Sequence, residues 1–272
     1  MTRQLNKDTQ VCMSLAARPS NYGTRFHNYL YDALDLDYLY KAFTTQDITG
    51  AITGVRALGI RGCAISMPFK EAVIPLVDEL DESARLIHSV NTIVNSNGHL
   101  KAYNTDYLAI AQLLRERGIP NSLPFALKGS GGMAKAVACA LQQAGFTQGH
   151  IISRNAATGQ ALADLYGYHY QADMTGIAAE LLINATPVGM QDGAEADALA
   201  FSQEQIAQAQ VIFEVVALPA QTPLLKEARA QGKAVVTGAE VFALQAVEQF
   251  VLYTGVRPSH ELFLEAVAYS RG

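Results

Sequence analysis

Residues 125–134 read FALKGSGGMA, a short apolar run followed at once by a glycine-rich turn. Gly129, Gly131 and Ala134 have the spacing G-x-G-x-x-G/A, and the segment after them predicts a helix rich in small residues. In this pattern the first glycine permits a tight turn, the second lets the backbone approach a pyrophosphate, and the third small residue lets helix and strand pack closely. The free N–H groups at the start of that helix would face the phosphates. We therefore expect a dinucleotide-binding loop made of Gly129, Ser130, Gly131, Gly132, Met133 and Ala134.

The residues after the next predicted strand, HIIS, bear on which dinucleotide is bound. Enzymes that use NAD usually place Asp or Glu there to bind the ribose 2′-hydroxyl. This chain instead has Ser153, Arg154 and Asn155, and a guanidinium can bind a 2′-phosphate bidentately. We therefore favour NADP over NAD and assign these three residues to the cofactor site. Alternatively, Arg154 is an ordinary solvated arginine at a strand end. The position of Lys128 directly before Gly129 also has more than one interpretation: its side chain reaches solvent or phosphate, or it marks an unusual loop.

Composition narrows the class of protein. The 272 residues are 50% hydrophobic and 17% charged, which allows a sizeable core in one large domain or two ordinary ones. A net charge of −5 argues against nucleic-acid binding. We find no apolar run long enough for a membrane span and no apolar segment typical of a signal peptide in MTRQLNKDTQ. We expect a cytoplasmic protein without a metal site, in which Cys12, Cys63 and Cys139 are buried free thiols.

Strand and helix signals alternate along most of the chain, which is typical of an α/β fold. In the first part we predict strands at QVCMSLA, DYLYKAF and IRGCAIS and helices at GTRFHNYLYDALD and TQDITGAITGVRALG. Pro68 fits the first turn of a further predicted helix through FKEAVIPLVDEL. The run NTIVNSNGHLKAY predicts a hairpin across Asn97-Gly98, and NTDYLAIAQLLRERG predicts an amphipathic helix.

Turn residues at 118–124 then interrupt the pattern, and alternating strands and helices resume with the glycine loop. Beyond HIIS we predict a helix, strands at AELLINAT and AQVIFEVV, a helix, a strand at KAVVTG and two closing helices. This order predicts a second domain built around a parallel sheet.

The stretch AISMPFK, residues 64–70, ends an apolar run with a proline and then places Lys70. YNTD places Asp106 at the junction between the hairpin and the next helix. A cleft between two domains is where a substrate and a nicotinamide should meet, and there Lys70 could serve as acid and base with Asp106 as its partner. Burial would lower the pKa of the lysine and Asp106 would raise it. Alternatively, Lys70 is a surface residue of a first helical turn and Asp106 is an acid near an N-cap.

Several motifs in the same order resemble the shikimate dehydrogenases. SMPFK resembles their T-x-P-x-K element, HSVNTIV their A-V-N-T segment and NTD their aspartate motif. KGSGGMAKAV is similar to their G-A-G-G-A-A loop, SRN to their N-R-T and INATPVGM to their I-N-A-T-x-x-G-M. TPLLKEARAQGKAVVTG and ALQAVEQFVLYTG resemble their closing segments. The resemblance extends along nearly the whole chain, which is therefore identified as a member of this family.

The resemblance implies an α/β protein with an N-terminal α/β substrate domain and a Rossmann-type, doubly wound NADP-binding domain. The expected bounds are 1–103 for the substrate domain, completed by about 239–272, and 104–238 for the nucleotide domain. Lys70 and Asp106 become the catalytic pair. The implied contacts to substrate hydroxyls are Ser66, Asn91 and Gln245, and the implied further cofactor residues are Asn184, Thr186, Met190 and Gly238, with Gly189 shaping the loop. Alternatively, Asn91 caps a turn, Gln245 is a polar residue on a helix face, and INATPVGM is a plain exit from a strand.

The chain departs from the family pattern at two places. The family's carboxylate site is usually a Ser-x-Ser pair before a helix. In RPSNYGTRFHN the two positions become Asn21 and Gly23, or Ser20 and Tyr22 after a shift of one residue. We assign Ser20, Asn21 and Tyr22 to the substrate site in these two alternative registers. The family's D-M-x-Y-x-P is EVVALP here, which puts Ala217 at the tyrosine position. These changes resemble the divergent shikimate dehydrogenase-like subgroup.

The expected function is NADP-dependent interconversion of shikimate, or a close polyhydroxy cyclohexene carboxylate, and its 3-dehydro form. Because the chain departs from the family pattern at the two places described above, a low activity is also compatible with the sequence. The alternatives are a quinate/shikimate dehydrogenase that uses NAD, and a catalytically weak binding or sensor protein of the same fold. We expect a small-molecule substrate, no nucleic-acid or membrane partner, and a monomer or homodimer.

Overall fold

A computed structural model describes residues 4–271, so the first three residues of MTRQLNKDTQ lie outside the described part. The chain divides into two compact units. The first ends at Thr105 and resumes at Gln245, and the second is Asp106–Leu244. The sequence placed these boundaries at 103/104 and near 238/239. None of the helices in the described part combines the length and apolarity needed to cross a bilayer.

The first unit contains a mixed sheet of six strands. They are β1 (Gln10–Ala16), β2 (Tyr38–Thr44), β3 (Gly62–Ile65), β4 (Glu79–Leu80), β5 (Thr92–Ser96) and β6 (His99–Tyr103). Their order is β2-β1-β3-β5-β6-β4. β1 is parallel to β2 and β3, whereas β5 is antiparallel to β3 and β6. The predicted hairpin is confirmed: Asn97 and Gly98 have φ values of 55° and 90°, the positive pair that a two-residue hairpin turn requires.

The second unit contains a sheet of six parallel strands. They are β7 (Phe125–Lys128), β8 (Gly149–Ile152), β9 (His169–Gln171), β10 (Leu181–Asn184), β11 (Val211–Glu214) and β12 (Ala234–Val236). The order β12-β11-β10-β7-β8-β9 is that of a doubly wound dinucleotide-binding domain, so the predicted fold class is confirmed. β9, with the short polar sequence HYQ, was not predicted, since it lacks an apolar alternation.

Helices connect the strands in both units. In chain order they are α1 (Tyr22–Ala33), α2 (Ile48–Ala57), α3 (Glu82–Ile87), α4 (Thr105–Glu116), α5 (Gly132–Gln143), α6 (Ala156–Tyr166), α7 (Gln203–Gln208), α8 (Pro223–Ala230), α9 (Gly238–Thr254) and α10 (His260–Ser270). α7 was also missed, because a short polar segment with Ile206 as its buried residue shows no clear period.

The predicted helix through FKEAVIPLVDEL is wrong. Residues 67–73 form turns, Ile74–Leu76 is a short 3-10 helix, and β4 follows. Pro75 explains the difference, because it has no N–H to donate and it disfavours the α conformation of the residue before it. The Met67–Pro68 peptide bond is cis. Phe69 is nevertheless buried in the core, at 9% exposure.

The core of the first unit contains an aromatic cluster around His27. The His27 ring stacks on Tyr40 at a centroid distance of 4.3 Å and lies near Phe250 and Tyr253. Burial lowers the pKa of His27 to about 3, so the ring is neutral. Gly62 lies against the same cluster, and a Cβ there would be 2.3 Å from the Tyr253 ring. The three cysteines of the chain are free and buried, as predicted.

Glu214, at the end of β11, is a fully buried carboxyl group in the second unit. Its Oε1 accepts hydrogen bonds from Asn184 Nδ2 and Val216 N, both at 2.9 Å, and its Oε2 accepts from Thr222 Oγ1 at 3.0 Å. Burial raises the pKa of Glu214 from 4.5 to about 7, against the lowering effect of these hydrogen bonds. This one carboxyl therefore joins the end of β10, the segment after β11 and the start of α8.

Replacement of Gly62 by alanine should destabilise the first unit by about 1–3 kcal/mol, because the added methyl overlaps the Tyr253 ring. Gly54→Ala is the matched control, since a Cβ at that position in α2 meets nothing within 4 Å. The control should raise stability by about 0.5–1 kcal/mol. Urea unfolding followed by circular dichroism measures both. Equal stability of the two variants would contradict this account of the core.

Glu214→Gln should remove part of the pH dependence of stability. The pKa of Glu214 is raised in the folded state, so the fold favours the protonated carboxyl. The free energy of unfolding should therefore fall as the pH rises from about 4.5 through about 7. The full loss is on the order of 3 kcal/mol, and Glu214→Gln should not show it. Urea unfolding at acidic and alkaline pH tests this, with the exposed Glu116→Gln in the same unit as control. An unchanged pH dependence in Glu214→Gln would refute it.

Candidate functional site

Part of the candidate substrate site lies at the carboxyl edge of the first sheet, where the parallel strands β1 and β3 end. Ser66 N donates to Leu15 O at 3.0 Å, and Ala17 N donates to Met67 O at 3.2 Å. The segments that follow β1 and β3 therefore run side by side. In open α/β sheets this edge is where ligands bind. Ser66 is exposed there.

Asn91 is the buried polar centre of this edge, at 3% exposure. Its Oδ1 accepts from Thr105 N and from Thr92 Oγ1, both at 2.8 Å. Its Nδ2 donates to Thr105 Oγ1 at 3.0 Å. These bonds fix the orientation of the amide. They also make Thr105 part of the candidate site, a role that its place in the NTD motif alone did not predict.

Gln245 joins Asn91 through Thr105. Thr105 Oγ1 donates to Gln245 Oε1 at 3.4 Å. One helical turn further along α9, Gln249 Nε2 donates to Thr92 Oγ1 at 3.0 Å and to Asn91 O at 3.3 Å. Gln249 was not predicted, although its spacing of four from Gln245 puts both amides on one face of the helix. We name Asn91, Thr92, Thr105, Gln245 and Gln249 the amide network.

Lys70 is half-buried and its main chain lies beside this network. Val90 N donates to Lys70 O at 2.8 Å, which fixes Lys70 next to the residue that precedes Asn91. Phe69 N donates to Ser66 O at 3.0 Å and closes the turn between them. The structure thus brings Ser66, Lys70 and Asn91 to one edge of the sheet.

The carboxylate-contact candidates lie at the start of α1. Ser20 and Asn21 are exposed, and the Asn21 side chain makes no capping hydrogen bond. Tyr22 stacks on Phe26 at a centroid distance of 5.9 Å, and burial raises the pKa of Tyr22 to about 12. A Cβ on Gly23 would lie 3.3 Å from the Tyr40 hydroxyl. Among the described hydrogen bonds, none links the Ser20 or Asn21 side chain to the amide network.

The glycine loop of the second unit has the geometry that a dinucleotide needs. Gly129 has φ +124°, and a Cβ there would lie 2.7 Å from Ala185 O, so only glycine fits. At Gly131 and Gly132 a Cβ would meet nothing within 4 Å, which leaves the open space that a pyrophosphate would occupy. Ala134 is fully buried, so α5 packs closely. The loop therefore fits a dinucleotide phosphate at the start of α5.

A cluster of hydroxyl groups lies where the adenosine ribose is expected. Ser130 Oγ is 2.9 Å from Ser153 Oγ and 2.7 Å from Thr158 Oγ1. Asn155 Oδ1 accepts from Thr158 N at 3.2 Å and caps α6. Arg154 extends from this cluster with 87% of its side chain exposed. The structure thus brings the four predicted residues of this region together and adds Thr158, which was not predicted.

Lys128 holds the loop that follows β10. Its Nζ donates to Ala200 O at 2.6 Å and lies 5.6 Å from the centre of the Phe201 ring. Burial lowers the pKa of Lys128. Lys128 therefore makes a structural contact within the second unit.

Asn184 has a different position from the one expected of a ligand contact. It is fully buried, and its Nδ2 donates to Val188 O at 3.1 Å and to Glu214. Its Oδ1 accepts from Thr186 N at 3.1 Å and from Thr186 Oγ1 at 2.6 Å. Asn184 therefore shapes the loop that carries Thr186 and the exposed Met190.

Two further predicted residues lie at helix starts. Gly238 is buried, and a Cβ there would be 2.3 Å from Val216 O, so close packing explains this glycine. Asp106 is 6% exposed in the first turn of α4, where an acid is favoured by the helix dipole. Ala217, at the family's tyrosine position, precedes Leu218, which is 63% exposed.

Comparison with known proteins agrees with these features. A family model described as "Shikimate dehydrogenase substrate binding domain" matches residues 22–93. The chain is 56% identical over 267 residues to a shikimate dehydrogenase-like protein of Haemophilus influenzae, covering 98% of each chain. It is 32% identical to a shikimate dehydrogenase (NADP(+)) of Chlorobium chlorochromatii, covering 97% of this chain and 98% of that one.

Solved structures give the same result. A shikimate 5-dehydrogenase-like protein superposes with a TM-score of 0.96 at 55% identity, covering 99% of this chain and 100% of the other. Shikimate 5-dehydrogenase of Thermus thermophilus, solved in complex with NADP(H) and shikimate, superposes with a TM-score of 0.85 at 29% identity, covering 96% and 99%. The chain therefore belongs to the shikimate dehydrogenase family of oxidoreductases, within which it matches the divergent shikimate dehydrogenase-like subgroup.

Proposed function

We propose that the protein is an NADP-dependent oxidoreductase that interconverts shikimate, or a close polyhydroxy cyclohexene carboxylate, and its 3-dehydro form. The observation that carries this proposal is the fixed position of Lys70 beside the amide network, at the ligand-binding edge of the first sheet. A lysine whose main chain is fixed next to buried amides has its side chain anchored where it can reach a substrate hydroxyl.

Lys70 is proposed as the acid and base of the reaction. The glycine loop and the hydroxyl cluster with Arg154 would hold NADP+, which would supply the hydride acceptor for the substrate carbon. Lys70 in its neutral form takes the hydroxyl proton in the oxidation and returns it in the reverse direction. Asp106 directly follows Thr105 of the amide network in the chain, and we propose it as the acidic partner that orients the lysine.

The amide network and Ser66 are proposed to select a polyhydroxy ligand. Asn91 carries an amide of fixed orientation, Gln245 adds a second amide that accepts from Thr105, and Ser66 adds an exposed hydroxyl at the same edge. Sites built to hydrogen-bond a substrate hydroxyl discriminate strongly against analogues that lack it, because the site's own polar groups would then stay unpaired.

NADP is proposed as the cofactor. The glycine loop fits a pyrophosphate, and the hydroxyl cluster with Arg154 supplies donors suited to a 2′-phosphate. The solved Thermus thermophilus relative contains NADP(H), which supports the same choice.

Weak binding of the substrate carboxylate is proposed as the main departure from the biosynthetic enzymes. Asn21 is exposed and Gly23 has no side chain, so neither supplies the hydroxyl of a serine. Each lost charge-assisted hydrogen bond is worth about 1.5–3 kcal/mol, or roughly 10- to 150-fold in affinity.

Lys70→Met should lower kcat by roughly 10²–10⁴-fold, because it removes the proton-transfer group and keeps most of the stem. The affinity for NADP should not change. NADPH absorbance during oxidation of shikimate, quinate and related acids measures kcat and KM, and Lys41→Met, which replaces an exposed lysine, is the control. Near-normal kcat with a raised KM would make Lys70 a binding contact only. No turnover of any acid by the unmodified protein would favour the binding or sensor alternative.

The double variant with Asn21→Ser and Gly23→Ser should lower the KM for shikimate at least about tenfold, because it restores two hydroxyl donors. Asn21→Ser with Gly23→Ala is the matched control, since it adds the same Cβ near Tyr40 without the second hydroxyl. Steady-state kinetics with varied shikimate give the KM values. If Tyr22→Ser lowers the KM and the double serine variant does not, the alternative register is correct.

A further inference from the structure

Glu195 brings a carboxylate to the arginine that was assigned to the cofactor. Glu195 Oε2 lies 3.7 Å from Arg154 Nη2, and the two side chains are 47% and 87% exposed. The sequence shows no acid after β8, and this absence was the argument against NAD. The structure instead places an acid beside the Arg154 guanidinium from a segment distant in sequence, the loop between β10 and α7.

The position of Glu195 is set by its loop and not by the ion pair. Gly189 N donates to Glu195 O at 2.9 Å, and Ala198 N donates to the same oxygen at 3.2 Å. Lys128 Nζ, through Ala200 O, ties the loop to the end of β7. Burial lowers the pKa of Lys128, the charge of Glu195 raises it and that of Arg154 lowers it, so all three charges lie close enough to interact.

We propose that Glu195 is a specificity-determining residue that competes with the cofactor's 2′-phosphate for Arg154 and so narrows the preference for NADP over NAD. This proposal rests on the proposed use of NADP. A 2′-phosphate carries close to two negative charges, so it would bind Arg154 with the Glu195 carboxylate as a competitor. NAD has no phosphate at this position, and its binding leaves the Arg154–Glu195 pair intact.

The expected size of the effect follows from the exposure of the pair. Exposed ion pairs contribute little, because water and salt screen them. Removal of the Glu195 charge should therefore tighten binding of a 2′-phosphate by about two- to fivefold at low salt. The gain should shrink as the salt concentration rises. Binding of a ligand without the 2′-phosphate should not change.

Calorimetric titration with 2′,5′-ADP and 5′-AMP tests this on the full chain without any need for turnover. Glu195→Gln should bind 2′,5′-ADP about two- to fivefold more tightly than the unmodified protein and should leave 5′-AMP unchanged. Asp197→Asn is the matched control. Asp197 is exposed in the same loop and, within residues 4–271, pairs with no cation, so its neutralisation should change neither affinity.

Arg154→Ala completes a double-mutant cycle. In that background Glu195→Gln should have little effect on 2′,5′-ADP, because the competition acts through the arginine. An equal gain in both backgrounds, an equal gain for 5′-AMP, or no gain at all would overturn the proposal. The proposed use of NADP fails separately: it is refuted if neither the unmodified protein nor Glu195→Gln prefers 2′,5′-ADP to 5′-AMP.

Discussion

Asn91 holds three elements of the first unit at one point. Its main-chain oxygen accepts hydrogen bonds from Ile65 N at 2.8 Å and from Gln249 Nε2 at 3.3 Å. The Oδ1 of its side chain accepts from Thr105 N at 2.8 Å. An unpaired buried polar group costs about 1–3 kcal/mol, so these bonds leave the amide one orientation. The end of β3, the start of α4 and the face of α9 are fixed together by this residue. The position of Lys70 depends on Asn91 indirectly, because the N–H of Val90, the residue before Asn91, donates to the main-chain oxygen of Lys70.

The second unit uses a similar arrangement with a carboxyl group in place of an amide. Glu214 accepts from Asn184, and Asn184 in turn orients Thr186. The loop after β10 passes so close to the glycine turn that Ala185 O excludes a side chain at Gly129. The glycine turn, with its open space at Gly131, therefore packs directly against the loop that carries Thr186. A substitution at Glu214 would therefore affect the positions of the candidate cofactor residues, even without a direct contact between Glu214 and a ligand.

The sequence predicted best those features that depend on local backbone conformation. Gly129 and the Asn97-Gly98 turn need positive φ values, which few other residues adopt. The two turns could therefore be predicted from their sequences without knowledge of the fold. The helix predicted from Pro68 at its first turn is wrong because Pro75 lies inside the same segment and cannot donate a helical hydrogen bond. Glu195 could not be found in this way, since its role depends on a contact between segments far apart in the chain. For the same reason the full amide network emerged only from the three-dimensional structure.

The altered start of α1 and the retained lysine are physically compatible. Lys70 is placed by its carbonyl bond to Val90 and by the burial of Phe69, and neither contact involves residues 20–23. Asn21, in contrast, is exposed and makes no capping bond, so substitutions there cost the fold little. The contacts proposed for the substrate carboxylate can therefore change while Lys70, the proposed proton-transfer group, stays in position. The proposed proton-transfer group and the proposed carboxylate contacts therefore rest on separate structural supports, so loss of one does not imply loss of the other.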